Sequence, residues 1–159
     1  MVHRLLLEML ANGEQPAALH RLLGLRASWL EDWPTAVGHF EQAVRLLPND
    51  AFLHNNLAYS LLQTDPSSVQ LRRAALSANE ALRLAPEHPE ILATRGEILF
   101  HLKDYEAAAA DLAKALKALQ RRSDLHQLLA QCYDEVGLTA LADIHREKAE
   151  QADSQIDDH

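Results

Sequence analysis

The chemistry open to this 159-residue chain rests on nine histidines, 23 carboxylates and a single cysteine. His20, His54 and His126 fall 34 and 72 residues apart, a spacing that recurs elsewhere in the chain. Zinc needs three or four ligands about 2 Å from one point, whereas residues at equivalent places of a repeat project in parallel. No His-x3-His pair and no Cys–His cluster supplies converging ligands. The three are therefore read as packing groups, and His39, His88, His101 and His145 as scattered surface groups. Cys132 has no partner for an intrachain disulfide, and a lone thiol on an apolar helix face reads as a small core residue rather than a nucleophile. The carboxylates would need a closed, partly desolvated pocket to work as an acid–base pair. There is no glycine-rich phosphate loop, nucleophile elbow or HExxH. The expectation is a protein without catalytic residues, cofactor or metal.

Charge narrows the partners. A net charge of −8 argues against binding nucleic acid, which calls for clustered Lys and Arg. The two basic doublets, Arg72-Arg73 and Arg121-Arg122, stand beside carboxylates or helix ends and read as solvated faces. No run approaches the roughly 18 apolar residues that would span a membrane. The opening stretch from Met1 to Leu10 looks like a signal peptide, but Glu8 interrupts it and no small-x-small cleavage site follows. A cytoplasmic location is expected.

The elements that would position any site follow from internal spacing. Ala36, Phe40, Ala43 and Pro48 are followed 38 residues later by Ala74, Ala78, Ala81 and Pro86. Steps of 34 lead on to Ala108, Leu112 and Ala115, then to Ala142, Arg146 and Ala149. A second series, Leu23-Gly24, Leu57-Ala58, Arg95-Gly96 and Leu129-Ala130, steps by 34, 38 and 34. Self-similarity at this period marks stacked two-helix units, each burying its apolar side on its neighbours. Both series agree only if four extra residues lie between Ala58 and Ala74. The segment from Gln63 to Ser68 is the site, with Asp65 as N-cap and Pro66 in the first helical position. The insertion is then one added helical turn, not a loop.

Helices are expected at 2–11, from Pro16 to about Leu30, at 33–47 behind an Asp32 cap, and at 51–63, 66–85, 89–102, 105–119, 123–136 and 138–152. Lys103-Asp104-Tyr105 repeats the Glu31-Asp32-Trp33 turn. Small residues at Gly24, Ala58, Gly96 and Ala130, and at Ala36, Ala74, Ala108 and Ala142, allow helices to approach to about 8–10 Å. Leu5, Leu6, Leu7, Met9 and Leu10 give the first helix apolar surface on most sides. That surface is expected to pack on residues 16–30, with a homodimer through the N-terminal helix as a further outlet.

This pattern resembles the tetratricopeptide-repeat family. The first window has Leu23-Gly24, Ala36, Phe40, Ala43 and Pro48; the third has Gly96, Leu99, Ala108 and Ala115. The fourth keeps Ala130, Tyr133, Ala142 and Ala149, with Arg146 where a large apolar residue is usual and no closing proline, as a water-facing end cap would have. The resemblance implies an all-α, right-handed α-solenoid. Residues 1–15 are then a capping helix and 16–152 one continuous solenoid, with repeats at about 17–50, 51–88, 89–122 and 123–156. Residues 153–159 are a frayed polar tail. His20, His54 and His126 occupy the fourth place of their repeats, where family members usually pack a bulky apolar or aromatic residue.

The resemblance further implies a concave groove lined by the first helix of each repeat. Helical spacing puts Arg21, Leu25, Ser28 and Trp29 on one face, then Phe52, Asn55, Tyr59 and Gln63 with Leu62 beside them. Glu90, Glu97, Phe100 and His101 follow, and then Asp124, Gln127, Gln131 and Asp134. Asn56 adds an amide able to hold a peptide backbone, as the equivalent residue does in some family members. Aromatic groups gather in the first three repeats and carboxylates in the last two, so the expected ligand is a peptide or partner segment with apolar and basic residues. The alternative is that Trp29, Phe52 and Phe100 only fill gaps between repeats. Some family cochaperones clamp a C-terminal carboxylate with Lys, Asn and Arg. Arg21 and Asn56 could match two of those places, but Leu25, Glu90 and Thr94 depart from the others, so such a clamp is not expected. The functional reading is an interaction module or scaffold. A dedicated secretion or assembly chaperone for one client stands as the alternative, ahead of a helical-repeat RNA binder.

Overall fold

A computed structural model describes residues 2–13, 15–64 and 67–154 of the chain. Among them the helices are α1 Val2–Ala11, α2 Pro16–Trp29, α3 Trp33–Leu46, α4 Ala51–Thr64, α5 Ser68–Leu84, α6 Pro89–His101, α7 Tyr105–Ala115, α8 Ser123–Glu135 and α9 Thr139–Ser154, with no strand. They form two compact units, Met1–Pro86 and Glu87–His159. In the first, each of α1 to α4 packs on the next; in the second, α6 packs on α7, α7 on α8 and α8 on α9, and α6 also touches α8.

Helix ends follow local chemistry. Glu31 and Lys103 adopt left-handed φ values of 56° and 64°. The next N–H, that of Asp32 or Asp104, then reaches back to the carbonyl of Ala27 (2.9 Å) or Leu99 (3.0 Å). Gly137 holds the same place after α8, at φ 78°. Each aspartate then caps the next helix, Asp32 accepting from the Thr35 N–H at 3.3 Å and Asp104 from that of Ala107 at 3.4 Å. Asp50 does the same for α4 through the N–H groups of Phe52 and Leu53. One boundary differs from expectation by more than two residues: α7 ends at Ala115, not 119. There the N–H groups of Lys117 and Ala118 bond to carbonyls three residues back, at 3.2 and 3.1 Å, tightening the chain into a turn.

The inserted residues are absorbed by helix. Measured by the repeat offsets, α4 runs one residue beyond α2, and α5 begins three residues earlier than α3 does. The cap is Ser67, whose hydroxyl accepts from the Gln70 N–H at 3.5 Å. The expected roles of Asp65 and Pro66 lie outside the described residues.

All eight small residues singled out by spacing are buried. A Cβ at Gly24 would sit 2.8 Å from the Phe40 ring, and one at Gly96 would sit 2.7 Å from Cγ of Leu112. Both glycines lie sixteen residues before the side chain that fills their space. Phe40 and Leu112 are fully enclosed, and burial of such a group stabilises by about 1.5–3 kcal/mol.

Polar pairs join the two helices of three repeats. His20 on α2 meets His39 on α3, Nδ1 to Nδ1, at 3.0 Å. His126 on α8 meets His145 on α9 in the same way at 2.8 Å. In the third repeat, Arg95 stands where Leu23, Leu57 and Leu129 stand elsewhere, and Asp111 stands where His39 and His145 stand. Arg95 Nε and Nη2 donate to the two oxygens of Asp111 at 2.6 and 2.9 Å, a bidentate pair whose carboxylate is buried. His39 and His145 are thus not scattered surface groups: each has a histidine partner across its helix pair. The basic doublets are also more engaged than expected. Arg73 pairs with Glu41 across α5 and α3, and Arg122 pairs with Asp124 and Glu90.

Candidate partner-binding surface

In the first unit the expected residues occupy one face of each first helix. On α2, Arg21, Leu25 and Trp29 are exposed, Trp29 by 88% and Leu25 by 44%. Ser28, beside them, turns its hydroxyl inward to the Gly24 carbonyl at 3.0 Å. On α4, Phe52 and Tyr59 are exposed, while Asn55, Asn56 and Gln63 are half-buried. Tyr59 meets Trp33 of α3 edge-on, with ring centroids 5.8 Å apart, a geometry that favours aromatic pairs. Phe52 lines a pocket of about 590 Å³ together with Leu46, Leu47, Leu84 and Ala85. Oδ1 of Asn55 is buried without a hydrogen-bond partner among the described residues. Leu62 departs from expectation. Only 5% exposed, it falls one turn beyond Ala58 on the buried stripe of α4 and belongs to the core.

In the second unit the acidic face is a charged network. Glu90 and Asp124 are exposed and Glu97 is half-buried. Arg122 Nε and Nη2 donate to Asp124 at 2.8 and 2.7 Å, and its Nη1 reaches Glu90 at 3.5 Å. That guanidinium holds the Asp124 carboxyl below its ordinary range. Glu97 is shifted the other way: burial raises it, the Asp124 charge adds to the rise, and Arg122 opposes both. Phe100 stacks edge-on against both His101 and Tyr105, at 5.7 and 5.6 Å between ring centroids. Gln127 and Gln131 are exposed on α8, and Asp134 is held by Arg146 of α9. At the place of the excluded clamp, the Thr94 hydroxyl is buried and donates to the Glu90 carbonyl at 3.0 Å.

Three groups at this surface escaped the sequence reading: Arg122 within the acidic face, Trp33 behind Tyr59, and Tyr105 behind Phe100. The repeated turn that places Trp33 and Tyr105 at the same register was their signal. Arg122 had one as well, since it lies two residues before Asp124 at a helix start.

These elements define an all-α helical-repeat protein with the tetratricopeptide fold. No family model matches the chain. Among solved structures it superposes on MamA with a TM-score of 0.84 at 15% identity, covering 98% of this chain and 89% of that one. It also superposes on a thermophilic TPR protein of Thermus thermophilus at 0.74, with 22% identity over 97% and 83% of the two chains. Among curated proteins it resembles the Hsp70-Hsp90 organizing protein of Triticum aestivum, 24% identical over 127 residues. The Hsp70-Hsp90 organizing protein 3 of Arabidopsis thaliana is 22% identical over 120 residues. These alignments cover 79% and 74% of this chain. The chain spans about a fifth of the length of either relative (21% and 20%). Among the described residues no group of three or more metal-ligating side chains occurs, and no helix is long and apolar enough to cross a membrane.

Proposed function

We propose that the chain is a protein-interaction module without chemistry of its own, and that the first-helix faces of its repeats hold a partner segment. The observation that carries this reading is Trp29, 88% exposed beside exposed Leu25, with the braced and exposed Tyr59 in the same unit. Large aromatics left in water are the anchors that dominate interface energies. In the second unit Glu90, Glu97 and Asp124 outnumber Arg122, so that face takes basic residues. The fold shared with MamA and with a thermophilic TPR protein, and the likeness to the organizing proteins, support the class, and the partner is left to chemistry: apolar residues for the first unit, Lys or Arg for the second.

A displayed library of random peptides tests this. Selected peptides should carry an aromatic or large aliphatic residue where the first unit holds them, and Lys or Arg where the second does. Tyr59→Ala should weaken them about tenfold at any salt concentration, since an apolar anchor is lost. Glu97→Gln should weaken the basic peptides chiefly at low salt. Glu80→Lys, on the second helix α5, should leave binding intact. Loss of binding in Glu80→Lys with retention in Tyr59→Ala would move the surface to the other face.

The N-terminal helix belongs to the same proposal. It packs on α2, yet Leu5 and Leu7 remain exposed, and we assign that remaining surface to self-association. Leu5→Glu together with Leu7→Glu should convert a dimer to a monomer in light scattering. An unchanged mass would remove the dimer from the reading.

A further inference from the structure

Behind the acidic face, the second unit carries a pocket of opposite character. It has a volume of about 550 Å³ and lies between the end of α7, the turn that follows it, α8 and α9. Its charged and titratable lining is Lys117, Arg121, Lys148, His126 and His145, with Gln120 and Gln151 adding amides, and no carboxylate lines it. In a chain of net charge −8 this is a local reversal of sign. None of the groove residues of α8 lines it. His126 is two residues from Asp124, about 200° round the helix at 100° per residue.

The histidine pair at its wall has a fixed proton arrangement. Nε2 of His126 lies 3.2 Å from the Gln120 carbonyl, which can only accept, so this nitrogen carries the hydrogen. Nδ1 of neutral His126 is then an acceptor, and His145 donates to it from its own Nδ1 at 2.8 Å. The basic nitrogen left over is Nε2 of His145.

We propose that this pocket binds a small soluble ligand carrying clustered phosphates, with Lys117, Arg121 and Lys148 neutralising its charge and His145 Nε2 taking up a proton as it binds. A lone carboxylate would leave most of the cationic charge uncompensated, whereas a di- or triphosphate matches it. The same three cations repel a divalent metal, so the close approach of two Nδ1 atoms does not make a metal site here. Burial, His126 and Lys148 hold His145 down to about 4, so it is neutral in the empty pocket at neutral pH. The groups facing it are Lys117 and Arg121 from the turn after α7, His126 and Tyr133 from α8, and Lys148 from α9. A bound anion offsets those cations and raises the His145 value, so binding and protonation favour each other.

Calorimetric titration of the full chain with tripolyphosphate at low ionic strength tests the proposal. One saturable site per chain is expected, tightening as pH falls from about 7.5 to about 5.5. Lys148→Glu should weaken it by about tenfold or more. Lys103→Glu makes the same charge change at a turn whose counterpart is Glu31, and should weaken it far less. His145→Gln should keep binding at neutral pH and lose the tightening in acid, leaving only the weakening that the ligand's own protonation causes. No saturable binding at either pH, equal losses in Lys148→Glu and Lys103→Glu, or capture only by vesicles bearing phosphorylated headgroups would overturn it. Circular dichroism on each variant separates lost binding from lost fold. The peptide-library result does not depend on this pocket, so either reading can fail alone.

Discussion

Gly24 and Gly38 sit in consecutive helices and call for opposite substitutions. Nothing lies within 4 Å of a Cβ built at Gly38. Gly38→Ala should therefore gain the ~0.5–1 kcal/mol by which alanine exceeds glycine in a helix. Gly24→Ala gains the same propensity but drives its methyl into the Phe40 ring, and overpacking of that kind costs about 1–3 kcal/mol. Urea titrations should show opposite shifts in midpoint. Arg95 and Asp111 invite a second test. Asp111→Ala alone removes the buried carboxylate to which Arg95 Nε and Nη2 donate, and should cost about 1–3 kcal/mol. Adding Arg95→Leu restores the residue found at this place in the other three repeats, and should recover most of that loss. Glu97 adds a pH test. Its raised value means the native state favours the protonated form, so stability falls as pH rises from the ordinary carboxylate value through the raised one. Glu97→Gln should melt higher than the parent at neutral pH and about equally in acid. At this scale the small residues were legible because sterics repeat with the period. The polar pairs were not. Recognising His20–His39 or Arg95–Asp111 requires knowing which places on two different helices face each other.

Among the elements, α5 is the most instructive. The spacing required four more residues between Ala58 and Ala74, and the helical reading of that excess holds, divided between the end of α4 and the start of α5. Capping by Ser67 was not anticipated, because Asp65-Pro66 is the stronger local signal. The serine is a good cap in its own right, and it sets the first main-chain bond of the helix, from the Leu71 N–H to the Ser67 carbonyl at 3.0 Å. Amide exchange should be slow from Leu71 onward and fast before it, since first-turn N–H groups lack intrahelical partners. Ser67→Ala should cost about 1 kcal/mol, and protection that began before Ser67 would contradict the cap. Legibility failed again at the end of α7. Ala, Lys and Leu continue there with good helix propensity, and the chain nonetheless tightens into the turn that carries Lys117 and Arg121.

For the whole molecule, period and composition were enough to establish the fold, which solved structures at 15% and 22% identity share. A repeat fold is specified by a thin set of packing residues, so most other positions are free to vary. That freedom is also why the binding surface was only partly legible. Periodicity tells which residues point away from the core, and so found Trp29, Leu25 and Tyr59. It does not tell which exposed charges are already engaged, and so it missed Arg122 beside Asp124 and Glu90.

Cys132 makes the second unit self-reporting. It is the only thiol in the chain, completely enclosed, and burial pushes it up to about 11. Thiol reagents attack the exposed thiolate, so labelling should proceed only through momentary openings of α8 from its neighbours. While reclosing outpaces labelling, the ratio of the labelling rate to that of a free cysteine gives the opening equilibrium directly, without denaturant. Any ligand held by the closed unit should slow the reaction in proportion to its occupancy. Tripolyphosphate, with no thiol chemistry of its own, would then leave its mark on the clock.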